Sequence, residues 1–289
     1  MSDANTSQDS GSYVLDAENV AEMARLLVQD RLLTEAMGGT LSEQSHETLK
    51  SIQRLLDIGC GPAGWALTVA NEYPSINVVG IDISNQMIQY AHDQVKERDL
   101  YNAEFLIMDA TQPLRFPDHH FDLINGRILT GFLTTTGWPL LLQECWRTTR
   151  PGGILRLSEP EFGFTNSEAL DALTELSAQA LRRAGHTFSP RGRTFGTTPL
   201  LRSFLQQAGY KQIQQRAHVV DFSAGTPLHE SNKQNLLIVY RLLEPFLVQM
   251  QGITEVEFSR LYTQLQHDLQ QEQFCGLDYY LTVWGYKTA

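Results

Sequence analysis

Cysteine is scarce in this sequence, whose 289 residues contain only Cys60, Cys145 and Cys275. Their odd number and wide spacing exclude a disulfide framework and a Cys-x-x-Cys metal knuckle. Such sparing use of thiols fits a reducing compartment. We therefore expect a cytoplasmic protein without a metal site.

Positive charge is also in short supply, because Lys and Arg total 22 against 33 Asp and Glu, for a formal net charge of −11. The basic residues form only one short cluster, within residues 182–193. Nucleic-acid binding normally requires a basic face that neutralises phosphates. A nucleic-acid partner is therefore not expected.

Long hydrophobic runs are missing too, since none approaches the roughly 18 apolar residues that a membrane span requires. The first dozen residues, MSDANTSQDSGS, lack both the apolar core and the basic flank of a targeting segment. We expect no membrane span and a disordered tail over residues 1–12. The 42% hydrophobic content is nevertheless sufficient to fill a globular core.

The sequence does contain a regular alternation of short β-type runs and helical patterns from residue 53 onward. This alternation predicts a doubly wound α/β fold with a mainly parallel sheet. We place the core at residues 53–227, after an N-terminal helical cap at 13–52. A helical insertion at 228–275 precedes a final strand at 276–289.

The segment LLDIGCGPAGWA, residues 55–66, carries glycines at positions 59, 61 and 64. Their G-x-G-x-x-G spacing is typical of a strand-turn-helix that approaches a nucleotide-like ligand, because glycine leaves the backbone uncovered. In a doubly wound sheet such a ligand lies across the carboxyl ends of the strands. The spacing alone does not say which ligand is bound.

Three of the predicted strand ends are acidic. Asp82, at the end of the second strand, suits a ribose diol, because one carboxylate accepts hydrogen bonds from both hydroxyls. Asp109, at the end of the third, is placed to accept from an adenine amino group. Asp57, beside the glycine turn, would oppose a pyrophosphate and favour a ligand carrying an ammonium and a sulfonium.

At these motifs the sequence resembles the class I S-adenosylmethionine-dependent methyltransferases. The resemblance rests on LDIGCGPAG, VVGIDIS, IMDA, FDLING and RPGGILRLSE, which occur in that order across roughly residues 50–222. In overall sequence character it is closest to the small-molecule branch of that family, of ubiquinone/menaquinone or natural-product type. The resemblance implies a Rossmann-like, seven-stranded sheet of order 3-2-1-4-5-7-6 with the last strand antiparallel.

The resemblance also implies the cofactor, S-adenosylmethionine, and the product, S-adenosylhomocysteine. The glycine loop would pass beneath the methionine part, Asp82 would bind the ribose, and the segments after Asp82 and Asp109 would hold the adenine. One departure is Ala63, which stands where the family has its third glycine. The residues assigned to cofactor binding are Asp57, Gly59, Cys60, Gly61, Asp82, Ile83, Met87, Asp109, Ala110, Asn125 and Arg127.

The implied reaction is an in-line displacement on the methyl group by an O, N or C nucleophile of a small, partly apolar acceptor. A base is needed only if the acceptor loses a proton as it attacks. The candidates are Glu159, the first choice, His186, and His218 or Asp221 on the sixth strand. Tyr13, Phe188 and Arg193 are assigned to the acceptor. The N-terminal helix, the loop 186–196 and the insertion are the expected lids. Phe195, Leu236, Tyr240 and Phe246 supply apolar surface on them.

Two other functions remain open from the sequence. One is a nicotinamide-dependent oxidoreductase, which Asp57 beside the turn and the lack of a Tyr-x-x-x-Lys pair disfavour. The other is an S-adenosylmethionine-binding protein that has lost transfer activity and acts through its helical surfaces. The Leu-rich insertion either folds over the cleft or forms a homodimer face, and the sequence does not choose between them.

Overall fold

The computed structural model describes Leu15, residues 18–251 and residues 253–288, so the predicted tail and Tyr13 lie outside the described residues. The described chain forms a seven-stranded sheet with helices on both of its faces. The strands are β1 Arg54–Ile58, β2 Asn77–Asp82, β3 Ala103–Ile107, β4 Phe121–Arg127, β5 Thr149–Thr165, β6 Lys211–Asp221 and β7 Gly276–Tyr286.

The sheet has the order β3-β2-β1-β4-β5-β7-β6, which confirms the predicted topology. The first five strands pair in parallel, and β7 runs antiparallel to both β5 and β6. Parallel strands covered on both faces read as continuous apolar runs. Leu55 and Leu56 of β1 are accordingly both completely buried.

Several helices begin at polar caps that accept backbone N–H groups: Asn19, Ser84, Ser167 and Thr254 each do so. Among the described residues no helix combines the length and the apolar character needed to span a membrane. The helices are α1 Val20–Ala36, α2 His46–Ser51, α3 Gly64–Glu72, α4 Asn85–Glu97, α5 Gly137–Thr148, α6 Glu168–Arg183, α7 Leu201–Gln207, α8 His229–Gln251 and α9 Glu255–Asp268.

Two apolar clusters cover the faces of the sheet, one built around Trp138 and Phe121 and the other around Trp65 and Phe105. A third cluster joins α6 to the insertion helices α8 and α9 and includes the fully buried Phe258. Burying a large apolar side chain contributes roughly 1.5–3 kcal/mol, so this separate core is enough to fix the insertion in place. The insertion therefore packs beside the sheet on α6.

Strands β5 and β7 continue past the carboxyl edge of the sheet as an arm, in which β6 stays paired with β7 as far as Asp221 with Leu277. Pairing extends to Phe164 with Leu277 and Thr165 with Gly276, after a register shift that follows Glu161. The predicted fifth strand, GGILRLSE, ends too early, because the pairing with β7 carries β5 on to Thr165. The arm brings the end of β5 beside α6 and α8.

Candidate functional site

A cavity of about 780 Å³ lies at the carboxyl edge of the sheet. This volume falls within the ~300–1,000 Å³ typical of small-molecule sites. One end is walled by the glycine loop and the ends of β2, β3 and β4, under the roof of α1. We name it the cofactor end. The other, walled by the arm, α6 and α8, we name the acceptor chamber.

The glycine loop turns through left-handed backbone conformations. Gly59 has a φ of +62° and Gly61 a φ of +53°, a region that L side chains rarely adopt. A Cβ at Gly59 would lie 3.0 Å from the Phe132 ring. Ala63 also adopts a left-handed φ of 64°, which costs an alanine roughly 1–2 kcal/mol and explains why a glycine suits this position. The loop thus presents bare backbone to the cavity.

Asp82 is held at the end of β2 by two backbone amides. The Gly61 N–H donates to its Oδ2 over 2.8 Å, and the Ser84 N–H donates to its Oδ1 over 2.9 Å. Burial raises the pKa of the carboxyl, against the lowering effect of these bonds. Because each carboxylate oxygen has two acceptor sites, the group keeps capacity for further donors from the cavity.

Asp57 is anchored from below by a buried polar chain. The Asn125 amide donates to Asp57 Oδ1 over 2.7 Å, and Arg156 Nη1 donates to Asn125 Oδ1 over 2.7 Å. Arg156 in turn pairs with Glu43 at 2.6 Å. Burial raises the pKa of Asp57 to about 6, although Arg127 opposes the shift. Asn125, assigned to the cofactor from sequence, is completely buried off the cavity and instead positions Asp57.

The predicted adenine side of the cofactor end is apolar with a polar rim. Ile83 is 43% exposed and, with Met87 and Ala110, lines the cavity. Asp109 also lines it, and its Oδ1 accepts from the Thr111 N–H at 2.8 Å and from the Thr111 hydroxyl at 2.7 Å. These residues line the cavity between the ends of β2 and β3.

Helix α1 closes the cofactor end from above. Its Asp30 forms an ion pair with Arg127 at the end of β4, and the Arg127 guanidinium lies 5.4 Å from the Trp65 ring centre. A Cβ at Gly64 would collide with the Asp30 carboxylate, so this glycine allows the close approach of α1. Arg127 lines the cavity and is the candidate partner for the carboxylate of an amino-acid ligand.

Cys60 contributes to the loop through its backbone, because its N–H donates to the Ile81 carbonyl over 3.0 Å. Burial raises the pKa of its thiol well above the ordinary value, which leaves it unreactive as a thiolate. Within the described part of the chain, no three His, Cys, Asp or Glu side chains are grouped to hold a metal ion.

Glu159, the first candidate base, does not line the cavity. It is completely buried, and its carboxylate accepts from the Leu129 N–H at 2.7 Å and from the Thr130 N–H and hydroxyl at 3.2 and 2.7 Å. Burial raises its pKa to about 7, against these bonds. The assignment as a base is corrected: Glu159 fixes the turn after β4, because β5 runs on beyond it and carries the cavity wall farther out.

Three other predicted residues also lie away from the cavity. His186 is buried behind the wall, and burial lowers its pKa. Phe188 packs edge-on against Phe204, with ring centres 5.2 Å apart, and Arg193 is exposed on the surface. The roles predicted for them in catalysis and acceptor binding are corrected accordingly. The loop 186–196 instead sends Phe195 into the wall, stacked on Phe162 at 4.0 Å.

The acceptor chamber contains residues that the sequence analysis missed. Glu161 lines it and accepts from the Phe195 and Gly196 N–H groups at 2.7 and 3.1 Å, which ties the loop 186–196 to the arm. Asp278 and Tyr280 of β7 line it as well. The only local signal was the continuation EPEFGFT after the fifth strand, whose pairing with β7 short-range patterns do not reveal. Leu236, Tyr240 and Phe246 of the insertion line the chamber as expected for a lid.

A backbone-lined glycine loop facing an acidic strand end, in a sheet of this order, defines the class I methyltransferase fold, and the described chain adopts that fold. Residues 55–153 match the family model described as a methyltransferase domain. Residues 55–153 are therefore similar in sequence to methyltransferase domains, within a sheet of the class I methyltransferase fold.

The protein is similar to curated methyltransferases over that domain. It is 35% identical over 132 residues to a demethylmenaquinone methyltransferase of Listeria welshimeri, covering 42% of this chain and 55% of that one. It is 36% identical over 117 residues to the Geobacillus stearothermophilus enzyme of the same name, covering 39% and 49%. The chain spans about half the length of these relatives.

Among solved structures, the YcgJ protein of Bacillus subtilis is similar in fold. It superposes with a TM-score of 0.53 at 17% identity, covering 85% of this chain and all of that one. At this identity the likeness bears on the fold alone, and it agrees with the strand order found here.

Proposed function

We propose that the protein transfers the methyl group of S-adenosylmethionine to a small, partly apolar organic acceptor. The observation that carries this proposal is the cavity itself. Its cofactor end has a bare glycine loop against Asp82, and it opens into an acceptor chamber walled by segments outside the methyltransferase motifs. The curated relatives, which are named as methyltransferases of a small molecule, demethylmenaquinone, support the same function.

The residues at the cofactor end fit this cofactor. A Cβ at Gly59 would crowd the Phe132 ring. The loop therefore offers a ligand its backbone and no side chain at this position. Asp82 retains acceptor capacity for a ribose diol, and the exposed Ile83 offers an apolar face to adenine. Asp57 places negative charge beside the loop, which favours a cationic ligand and opposes a pyrophosphate. The last point also argues against a nicotinamide enzyme.

When bound, S-adenosylmethionine supplies an electrophilic methyl group, whose bond to sulfur breaks with its electron pair moving to sulfur as the acceptor's lone pair attacks. The chain's contribution is to hold the two reactants in line at near-attack distance. The α1 roof and the arm enclose the cavity and limit water. An O–H or N–H nucleophile finally loses one proton to solvent, which leaves the methylated atom uncharged.

We also propose that the protein works in the cytoplasm, and that its acceptor is not a nucleic acid, because its net charge is −11. The apolar face of α8 packs on α1 and α6 and lines the cavity. This arrangement favours a role for the insertion in closing the cleft, and it leaves less apolar surface for a homodimer.

Calorimetric titration of purified protein, stripped of copurified ligand, tests the proposal with three ligands in parallel. We expect S-adenosylmethionine and S-adenosylhomocysteine to bind in the micromolar range, and reduced nicotinamide dinucleotide not to bind. Binding of the adenosyl ligands without turnover on any acceptor would favour the non-catalytic alternative. Failure of both in a folded, empty sample would overturn the cofactor assignment.

A further inference from the structure

The acceptor chamber combines apolar walls with one distinctive carboxylate. Asp278 lies on β7 in the arm and lines the cavity, where it is neither fully buried nor fully exposed. Helices α6 and α8 supply the facing walls. Their apolar residues at the cavity are Leu170, Leu181, Leu236, Val239, Leu243 and Phe246.

The Asp278 carboxylate is held by a neutral group. The Asn232 amide of α8 donates to Asp278 Oδ2 over 3.0 Å. Among the described residues, no Lys, Arg or His forms an ion pair with this carboxylate. Its charge is thus oriented by a hydrogen bond without being neutralised.

A cation that also lines the cavity, Arg25, binds groups other than Asp278. Arg25 of α1 donates to Asn235 Oδ1 over 3.0 Å and pairs with the buried Glu22 at 2.6 Å. Asn235 in turn donates to Asn232 Oδ1 over 3.4 Å. This polar chain connects α1, α8 and β7, with two neutral amides between the Arg25 guanidinium and the Asp278 carboxylate.

Of the other acidic and phenolic groups at the cavity, Glu161, Asp30 and Tyr240 already have partners. Glu161 accepts backbone N–H groups from the loop 186–196, and Asp30 pairs with Arg127. The Tyr240 hydroxyl lies 3.0 Å from the Thr174 hydroxyl. Burial raises the pKa of Tyr280, so its phenol stays neutral beside Asp278.

The backbone of the arm leaves room for this carboxylate. A Cβ at Gly163, on the neighbouring strand, would lie 2.5 Å from Asp278 Oδ1 and would collide with the Leu277 carbonyl. Gly163 therefore permits the close approach of β5 to Asp278. Burial among apolar walls raises the pKa of Asp278 to about 6, so the group is mainly ionised at neutral pH. A partly buried charge without a counter-charge favours a cationic ligand.

We infer that Asp278, oriented by Asn232, selects the acceptor by receiving a hydrogen bond from an ammonium head group, while the apolar body of that molecule lies between α6 and α8. The acceptor class is thus a lipophilic amine, and carboxylic acids of the same shape are rejected. This inference rests on the proposed function only in naming the bound molecule an acceptor. The recognition itself is independent of methyl transfer.

Matched eight-carbon probes test the inference by calorimetry at neutral pH and physiological salt, on protein saturated with S-adenosylhomocysteine. We expect n-octylamine to bind at least about tenfold more tightly than n-octanoate, with n-octanol between them, as a charge-assisted hydrogen bond requires. Asp278→Asn should reduce the affinity for n-octylamine to that for n-octanol and leave S-adenosylhomocysteine binding unchanged.

Asp221→Asn is the matched control, because Asp221 is an exposed carboxylate of the neighbouring strand β6 and is not part of the cavity wall. It should leave every probe affinity unchanged. The inference is overturned if n-octanoate binds wild-type protein as tightly as n-octylamine, a comparison that needs no variant to fold. It is equally overturned if Asp278→Asn retains the preference for the amine. Failure of S-adenosylhomocysteine to bind would instead count against the proposed function.

Discussion

The two ends of the cavity are built in different ways. Apart from the covering helix α1, the cofactor end is assembled from segments that directly follow β1, β2, β3 and β4, so its predicted contacts lie in short motifs. The acceptor chamber combines β5 with β7, more than a hundred residues later, and with α6 and α8. The first end is therefore visible in local sequence patterns, whereas the second exists only through tertiary pairing.

Two carboxylates, one at each end of the cavity, are held in different ways. At the cofactor end, Asp82 accepts the Gly61 N–H of the glycine loop and the Ser84 N–H of its own turn. In the acceptor chamber, Asp278 is held by the side chain of Asn232 on a different element. Backbone donors are present whatever the side chains are, but a side-chain donor is removed by one substitution. Of these two carboxylates, Asp278 is thus the one that loses its orienting donor through a single side-chain substitution.

The largest effect is expected where the cofactor end depends on bare backbone. Gly59→Val places a branched side chain at positive φ and against Phe132. We expect S-adenosylhomocysteine affinity to fall by about 100-fold or more, measured by calorimetry, from backbone strain and steric exclusion together.

Gly152→Val is the control for that variant, because Gly152 has a φ of +79° with open space around it. It should carry similar strain and lose stability without losing affinity. Equal losses of affinity in the two variants would show that strain alone, and not contact at the loop, explains the result.

Removal of the ribose acceptor should have the next largest effect. Asp82→Ala is expected to weaken cofactor binding by about 1–3 kcal/mol, since it removes an acceptor for the diol and frees the Gly61 N–H. Asp93→Ala, at an exposed carboxylate of α4, should change nothing. Unchanged affinity in Asp82→Ala would remove the ribose assignment.

Asp278 of the acceptor chamber should alter the pH dependence of the free energy of unfolding. The Asp278 pKa is about 6 in the folded state against an ordinary value of 3.8. Between these values the folded state binds a proton that the unfolded state has lost, so Asp278 lowers the free energy of unfolding as pH rises through this window.

Asp278→Asn removes that penalty. We expect the variant to be more stable than wild type by about 1–2 kcal/mol at pH 7.5, and equally stable below pH ~4, by urea unfolding without ligand. The account of this carboxylate would be contradicted if the stability gained by Asp278→Asn over wild type were smaller at pH 7.5 than at pH 4.

The smallest effect is expected at Arg193, an exposed residue outside the cavity. Arg193→Ala should change the free energy of unfolding by less than about 0.5 kcal/mol. Probe affinities for n-octylamine and n-octanoate should remain within about twofold. A selective loss of n-octanoate binding in Arg193→Ala would show that Arg193 does contact ligands in the acceptor chamber.

The sequence was informative where one segment determines both the structure and the site. The order of the sheet was predicted correctly, and the structure places Asp57, Asp82, Asp109 and Arg127 on the cavity as the motifs indicated. Their contacts with the cofactor remain predictions. Local pattern sufficed because each of these side chains lies at the end of its own strand.

The acceptor chamber was not predictable in the same way. The local pattern predicts that the fifth strand ends at Glu159, but pairing with β7 extends that strand to Thr165 and leaves Glu159 buried beneath a turn. Asp278 lies in an aromatic strand whose neighbours are fixed by β5 and α8. No periodicity within one segment reports which distant segment lies opposite.

The central claim is that the two ends recognise two different ligands independently. It is tested most directly by titrating wild type, Asp82→Ala and Asp278→Asn with S-adenosylhomocysteine and with n-octylamine. We predict a crossed result, in which Asp82→Ala loses affinity only for S-adenosylhomocysteine and Asp278→Asn only for n-octylamine. If either variant weakened both ligands equally, or if each variant lost the other ligand, the division of the cavity into these two ends would be contradicted.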